Sequence, residues 1–218
     1  MKFTASRLLN LLLVVGAFAL AASFYDRLPD PYPTHWNLAG KADNFAAKPW
    51  GPLALPLTMA GLWLLMELLP LLSPKGFRID PFARVYTIMQ NAILGFFFLL
   101  NASAILAALG TGVAAFERLP LAAVGMLLLI LGNYMGKITR NFFIGIRTPW
   151  TLASDEVWLR THRLGGKVFV AAGLIIIAAE LFGAGPAFLL PVILAAAIVP
   201  AVYSFLVYKR IEGFKEAE

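Results

Sequence analysis

The sequence predicts an all-α, polytopic membrane protein of six transmembrane helices, with a short interfacial helix in the fourth connection. Three observations carry this. Hydrophobic residues make up 60% of the chain and charged residues only 14%. The mean hydropathy is +0.78, more apolar than soluble domains usually are. The apolar residues also fall into six runs, at about 8–25, 51–72, 87–109, 119–136, 168–184 and 187–208. Each run has the length that crosses a hydrocarbon core of about 30 Å as a helix. Within lipid such runs are helical, because only a helix pairs every backbone group locally.

In the first run, Lys2 and Arg7 precede the apolar residues, and Ala19-Leu20-Ala21 resembles a signal-peptide cleavage site. The run continues to about Tyr25, longer than a usual signal core, so a retained helix is expected. The connection 26–50 begins with Pro29, Pro31 and Pro33, which favour an extended, polyproline-like path. Asn37 to Gly40 is turn chemistry, and Trp36 and Trp50 suit a membrane interface. In span four, Gly132 and Gly136 form a small-xxx-small helix-packing face. Spans five and six are joined around Gly183-Ala184-Gly185-Pro186, which predicts a tight helical hairpin.

Charge sets the expected orientation. With the N-terminus inside, fourteen of the 18 Lys and Arg residues fall on the inner side, and only Arg27, Lys41, Lys48 and Arg118 fall outside. This bias predicts an inner-membrane protein with both termini in the cytoplasm. The net charge of +6 is then a topology signal in contact with membrane lipid, and direct nucleic-acid binding is not required to explain it. There is no cysteine, which excludes disulfides and thiolate chemistry. His35 and His162 are the two histidines. The topology puts them on opposite sides, so they cannot share a metal. Mixed carboxylate sites remain open, and His35 with Asp43 is one candidate. No nucleotide-binding loop or nucleophile elbow is present, and no cofactor is expected.

Two acids lie within spans, Glu67 and Glu180. Ionisable groups at membrane depth are functional suspects. Glu67 is expected to meet Gln90, Asn91 and Asn133 at one level near the inner face, most simply as a neutral, hydrogen-bonded packing residue. Glu180 lies near the outer end of its span.

The connection 137–167 is the most basic stretch. Thr148 precedes Pro149, which predicts an extended segment over Arg147–Leu152. Ser154 is a good N-cap, with Asp155 and Glu156 in the first turn. The expected helix runs from about 155 to 164, ends at Gly165-Gly166, and lies along the inner membrane surface. Val157, Thr161 and Leu164 share one of its faces, with Trp158 and His162 alongside. Glu156, Arg160 and Arg163 share the other. Two readings compete. In one, Trp150 and Trp158 anchor a solvated loop at the interface. In the other, Arg147 presents its planar fork to a carboxylate or phosphate, walled by Trp150, Trp158 and His162.

The run Asn141-Phe142-Phe143-Ile144-Gly145-Ile146-Arg147-Thr148-Pro149-Trp150-Thr151-Leu152, then Val157-Trp158, then Thr161-His162-Arg163-Leu164-Gly165-Gly166-Lys167 resembles the signature of the SdpI family of bacterial immunity proteins. The outer connection resembles a module of unknown function often found ahead of it, through Pro33, His35, Trp36-Asn37, Gly40, Asp43 and Lys48-Pro49. The resemblance implies an N-terminal three-helix module over 1–118 and a signature-bearing three-helix module over 119–218. It also implies immunity to a secreted toxic peptide, coupled to holding a cytoplasmic transcriptional repressor at the membrane. It supplies no catalytic residues. Asn141, Arg147, Thr148, Pro149, Trp150, Trp158, Thr161 and His162 are carried over as signature positions. His35, Asn37, Asp43 and Glu67 complete the candidate ligand-binding and partner-binding set. Two other classes remain open: a small-solute transporter lined by Glu67 and Asn91, and a membrane enzyme acting on lipid or peptide with His162 as base. The oligomeric state is not legible.

Overall fold

A computed structural model describes residues 5–37, 41–111, 114–184 and 186–213. In chain order the elements are α1 Ala5–Phe24, β1 Tyr32–Trp36, β2 Ala42–Ala46, α2 Ala54–Leu68, α3 Ala83–Ala108, α4 Ala114–Met135, α5 Pro149–Ala153, α6 Asp155–Leu181 and α7 Leu189–Ile211. Five helical stretches, Ala5–Arg27, Gly51–Leu68, Asp80–Ala108, Asp155–Leu181 and Leu189–Ile211, are long and apolar enough to cross a membrane. The sixth expected span is α4, whose apolar part, Leu119–Met135, is shorter. The predicted turn beyond Asn37, at 38–40, lies outside the described residues. So do Gly185 of the expected hairpin, and Lys2 and Lys215 of the inner cations.

The secondary structure departs from the sequence reading in three places. First, the helix expected to stop at Gly165-Gly166 does not stop. Residues 155–164 form the first part of α6, which continues to Leu181. The glycines serve helix contact instead of termination. A Cβ on Gly132 of α4 would sit 2.7 Å from the Gly166 carbonyl oxygen, and one on Gly166 would sit 2.7 Å from the Gly132 carbonyl oxygen. Two turns away the pattern repeats, with a Cβ on Gly173 falling 2.5 Å from the Gly125 carbonyl oxygen. Two antiparallel helices thus meet backbone to backbone at two points, which only small residues permit. The partner of Gly132 on the packing face is therefore Gly125. Gly136 leaves ordinary space, with Arg163 Cγ at 3.6 Å.

Second, the short helix of the fourth connection is α5, within the segment expected to be extended. Thr148 is extended, as its place before proline dictates, with φ −106° and ψ 163°. Pro149 then takes the first helical position, where its fixed φ and missing N–H fit. Third, the outer connection is a hairpin. β1 and β2 pair antiparallel, with Tyr32 opposite Ala46 and Trp36 opposite Ala42. The prolines leave an extended strand that β2 then completes.

Packing relates the two ends of the bundle. At one end Leu28 and Tyr32 bury against Ala21 and Ile105. At the other, Met66, Ile79, Phe82, Tyr86 and Met89 from the N-terminal half pack with Met135, Ile138 and Trp158 from the C-terminal half. α3 reaches both clusters. Its 26 residues span about 39 Å, so the hairpin and the 136–154 connection sit at opposite ends.

Gly132→Val should lower the thermal stability of the purified protein in detergent by at least about 1–3 kcal/mol, the usual cost of overpacking a filled contact. Gly61→Ala is the control, because a Cβ there meets nothing within 4 Å. Equal unfolding temperatures for the two variants would show that the glycine contacts do not set the α4–α6 distance.

Candidate functional site

The connection from Gly136 to Ser154 is folded by its own polar side chains. Asn141 is fully buried. Its Nδ2 donates to the carbonyls of Thr139 at 2.9 Å and Ile144 at 3.0 Å. Its Oδ1 accepts from the amides of Phe143 at 2.9 Å and Ile144 at 2.8 Å. One amide side chain thus closes a tight loop and consumes both its donors. Gly145 follows with φ +114°, a conformation strained for any L side chain. A Cβ there would fall onto His162 Nε2.

His162 is fully buried on α6. Its Nδ1 lies 2.8 Å from the Trp158 carbonyl, which can only accept. Its Nε2 lies 3.0 Å from the Ile146 amide, which can only donate. The pair of bonds requires the neutral ring with its proton on Nδ1. Both nitrogens are engaged with backbone, so the imidazole offers neither to a substrate as a general base. Trp158 stacks on this ring at 4.0 Å between centroids and 18° between planes. Its indole N–H donates to the Ile138 carbonyl at 2.7 Å. At 2% exposure it is a core residue and not an interfacial anchor. Thr161 is fully buried beside them, and its hydroxyl has no hydrogen-bond partner among the described residues.

The Arg147-Thr148-Pro149-Trp150 segment ties α5 to the bundle. The Thr148 hydroxyl accepts from the Thr151 amide at 3.2 Å, and the Thr151 hydroxyl accepts from the Thr148 amide at 2.9 Å, a reciprocal cap. Thr148 Oγ1 also lies 2.9 Å from Ser204 Oγ on α7. Trp150 packs edge-on against Phe205 at 5.0 Å. Arg147 is exposed and donates through Nη1 to the Phe142 carbonyl. The cation that organises the connection is Arg140. It donates to the Leu152 carbonyl at 2.7 Å, pairs with Asp155 at 2.7 Å and lies over the Phe77 ring at 5.1 Å.

The remaining candidates lie elsewhere. His35 and Asp43 meet across the hairpin, Nδ1 to Oδ1 at 2.5 Å, and both are exposed. Asn37 closes the hairpin turn by accepting from the Lys41 amide at 3.1 Å. Tyr32 is buried at the hairpin base, and that burial pushes its phenol up to about 12. Glu67 is not the neutral packing residue expected. It pairs with Arg7 at 2.7 Å and accepts from Gln90 Nε2 at 3.3 Å. Asn91 is nearby, accepting from Ser6 Oγ at 2.8 Å. Asn133 faces a separate shallow groove with Leu129, Tyr134 and Val170. Among the described residues no three His, Cys, Asp or Glu side chains gather as a metal site.

Sequence reasoning missed Arg140, Ser204 and Arg7. Ser204 and Arg7 carried a usable signal, being polar residues in or at the edge of apolar runs, where an unpaired polar group is costly. Arg140 carried none beyond its charge, because its partners lie in three separate segments.

Comparison with known proteins agrees with the resemblance read from the signature. Residues 137–204 match the SdpI/YfhL protein family. Residues 12–60 match a domain of unknown function, DUF1648. The chain is 28% identical over 208 residues to "Immunity protein SdpI" of Bacillus subtilis (strain 168), and the match covers 94% of this chain and 97% of that one. No solved structure matches it. The chain therefore carries an SdpI-family segment preceded by the DUF1648 module, on a helical membrane scaffold.

Asn141→Ala is expected to cost about 2–4 kcal/mol of folding stability, since each orphaned buried backbone group costs about 1–3 kcal/mol. Arg147→Ala, at an exposed position, should cost no more than about 1 kcal/mol. Thermal unfolding of the two variants in detergent measures the difference. Similar losses would mean that Asn141 does not hold the connection together.

Proposed function

We propose that this chain is a bacterial inner-membrane immunity protein that binds or neutralises a secreted antimicrobial peptide. The observation that supports it best is the similarity to Immunity protein SdpI, because it runs through both modules and nearly the full length of each chain. In this reading the hairpin receives the peptide. His35, Asn37 and Asp43 are exposed there, and Phe45 and Trp50 offer apolar surface, at 50% and 69% exposure. An amphipathic peptide needs both kinds of contact. The inner surface around Arg147, Arg160 and Arg163 receives a cytoplasmic partner with acidic groups, and a transcriptional repressor held at the membrane is that partner. Both termini face the cytoplasm, following the distribution of Lys and Arg.

The buried signature residues have a different role in this scheme from the exposed ones. Asn141, Trp158, Thr161 and His162 hold the connection in shape, and Arg147 meets the partner. A transport role has one favouring observation, the polar cavity at Arg7 and Glu67. An enzymatic role for His162 has none, since both ring nitrogens are occupied.

Sensitive cells expressing the protein should survive challenge with the cognate peptide. Arg147→Ala should reduce survival to the level of cells lacking the protein, at unchanged membrane abundance. Trp158→Ala should do so by lowering abundance, because removing a buried Trp costs about 3–5 kcal/mol. Full protection by Arg147→Ala would remove this residue from the mechanism. For orientation, a cysteine replacing the exposed Ala153 should be shielded from an impermeant thiol reagent in intact cells. Ready labelling there would invert the topology.

A further inference from the structure

A second polar region lies between α1, α2 and α3, apart from the signature connection. Its mouth is a cavity of about 310 Å³ whose lining includes Ser6, Arg7, Glu67, Asp80 and Gln90. One turn deeper on α1 is Asn10, fully buried. Neither its amide nitrogen nor its amide oxygen has a hydrogen-bond partner among the described residues. One turn deeper on α2 is Trp63, whose indole N–H is likewise buried without a partner among them. The Arg7–Glu67 pair fixes the relative level of these two antiparallel helices. Asn10 is three residues past Arg7, and Trp63 four residues before Glu67. Both therefore sit about 4.5–6 Å below the mouth. Beyond them Val14, Met59 and Leu94 form an apolar layer at 5%, 0% and 0% exposure.

Three buried polar atoms in one layer are expensive unless something pairs with them. Asn10 and Trp63 each lie one turn along the helix from a residue that lines the polar cavity, Arg7 on α1 and Glu67 on α2. The charges narrow the chemistry. Arg7 pairs with Glu67, and Asp80 pairs with Arg78 at 2.6 Å, so the region carries no net charge for a lone ion. Its donors are the Arg7 guanidinium, the Trp63 N–H and the Asn10 NH₂. Its acceptors include the Glu67 carboxylate and the Asn10 carbonyl, beside the oxygens of Ser6, Asp80 and Gln90 at the mouth. Arg7 and Glu67 hold one cation and one anion 2.7 Å apart, the charge pattern that an ammonium and a carboxylate on one carbon complement.

We propose that α1, α2 and α3 form a hydrated vestibule, closed at the Val14–Met59–Leu94 layer, that binds a small zwitterion of the α-amino acid class. The carboxylate faces Arg7 and Trp63, and the ammonium faces Glu67 and Asn10. The site is independent of the peptide and of the inner partner.

The chain has no cysteine of its own, so a single introduced thiol reports one position. The full chain in lipid nanodiscs, carrying Ser6→Cys, Asn10→Cys or Leu94→Cys, is treated with aminoethyl methanethiosulfonate. Position 10 should label at a rate near that of position 6, while position 94 stays inert. Glycine at about ten times its dissociation constant should slow labelling at position 6 about tenfold by mass action. Acetate and ethylamine should not, because each carries one charge. Triglycine should not either, because its termini are too far apart. A position 10 as inert as position 94 overturns the vestibule, and labelling at position 6 that ignores glycine overturns the ligand class. Trp63→Phe in the Ser6→Cys background keeps an aromatic ring and removes the N–H, so it tests the site if Asn10→Cys fails to fold. Glycine protection should weaken in that variant, and unchanged protection counts against the proposal.

Discussion

Backbone contact between α4 and α6 is the constraint on which the C-terminal half depends. Two glycine pairs, Gly125 with Gly173 and Gly132 with Gly166, let the helices approach until carbonyl oxygens nearly touch the opposite backbone. That approach sets where α4 ends relative to α6. Met135 and Ile138 then lie over Trp158, and the indole N–H reaches the Ile138 carbonyl. From there the connection has no freedom to wander. Gly145 passes against His162, Ile146 donates to its ring, and Asn141 ties the loop between them. A wider helix separation would pull the Ile138 carbonyl and the Ile146 amide away from their partners on α6 together.

The chemistry of the signature follows from this saturation. A residue pattern rich in Arg, Trp, His, Thr and Asn reads as a surface for ligands when only its composition is known. In the folded chain most of that capacity is spent inwardly. Asn141 makes four hydrogen bonds, His162 two and Trp158 one, all to backbone. Polar side chains of this kind replace the regular backbone pairing that an irregular segment lacks. Arg147, Arg163 and Lys167 are left exposed, together with Phe142 at 40%.

The apolar runs and their lengths were enough to read the helical membrane class, because the bilayer imposes one period and one length on every span. The cap at Ser154 was legible for a similar reason: capping is local, and its Oγ does accept from the Val157 amide. What misled was competition between two uses of one residue. Gly165-Gly166 carries the sequence signal of a helix end and the spatial signal of a helix crossing, and the second is invisible without α4. The hairpin was hidden likewise, since Pro29 and Pro31 ahead of β1 and Pro33 within it argue for an unpaired strand until Ala42–Ala46 arrives to pair with it. Glu67 was recognised as unusual, but its partner on α1 lies sixty residues away in sequence, beyond any spacing rule.

The contact between Thr148 and Ser204 joins α5 near the start of the recognisable SdpI segment to the last residue of that segment, so residues 137–204 close on themselves. The glycines of α6 inside the segment nonetheless lean on Gly125 and Gly132, which precede it. The unit of recognition in the sequence is therefore smaller than the unit of folding. Moved to another chain, 137–204 would carry its ring of polar bonds but present a bare helical backbone along Gly166 and Gly173. Any host protein would have to bring a small-residue helix of its own to cover it.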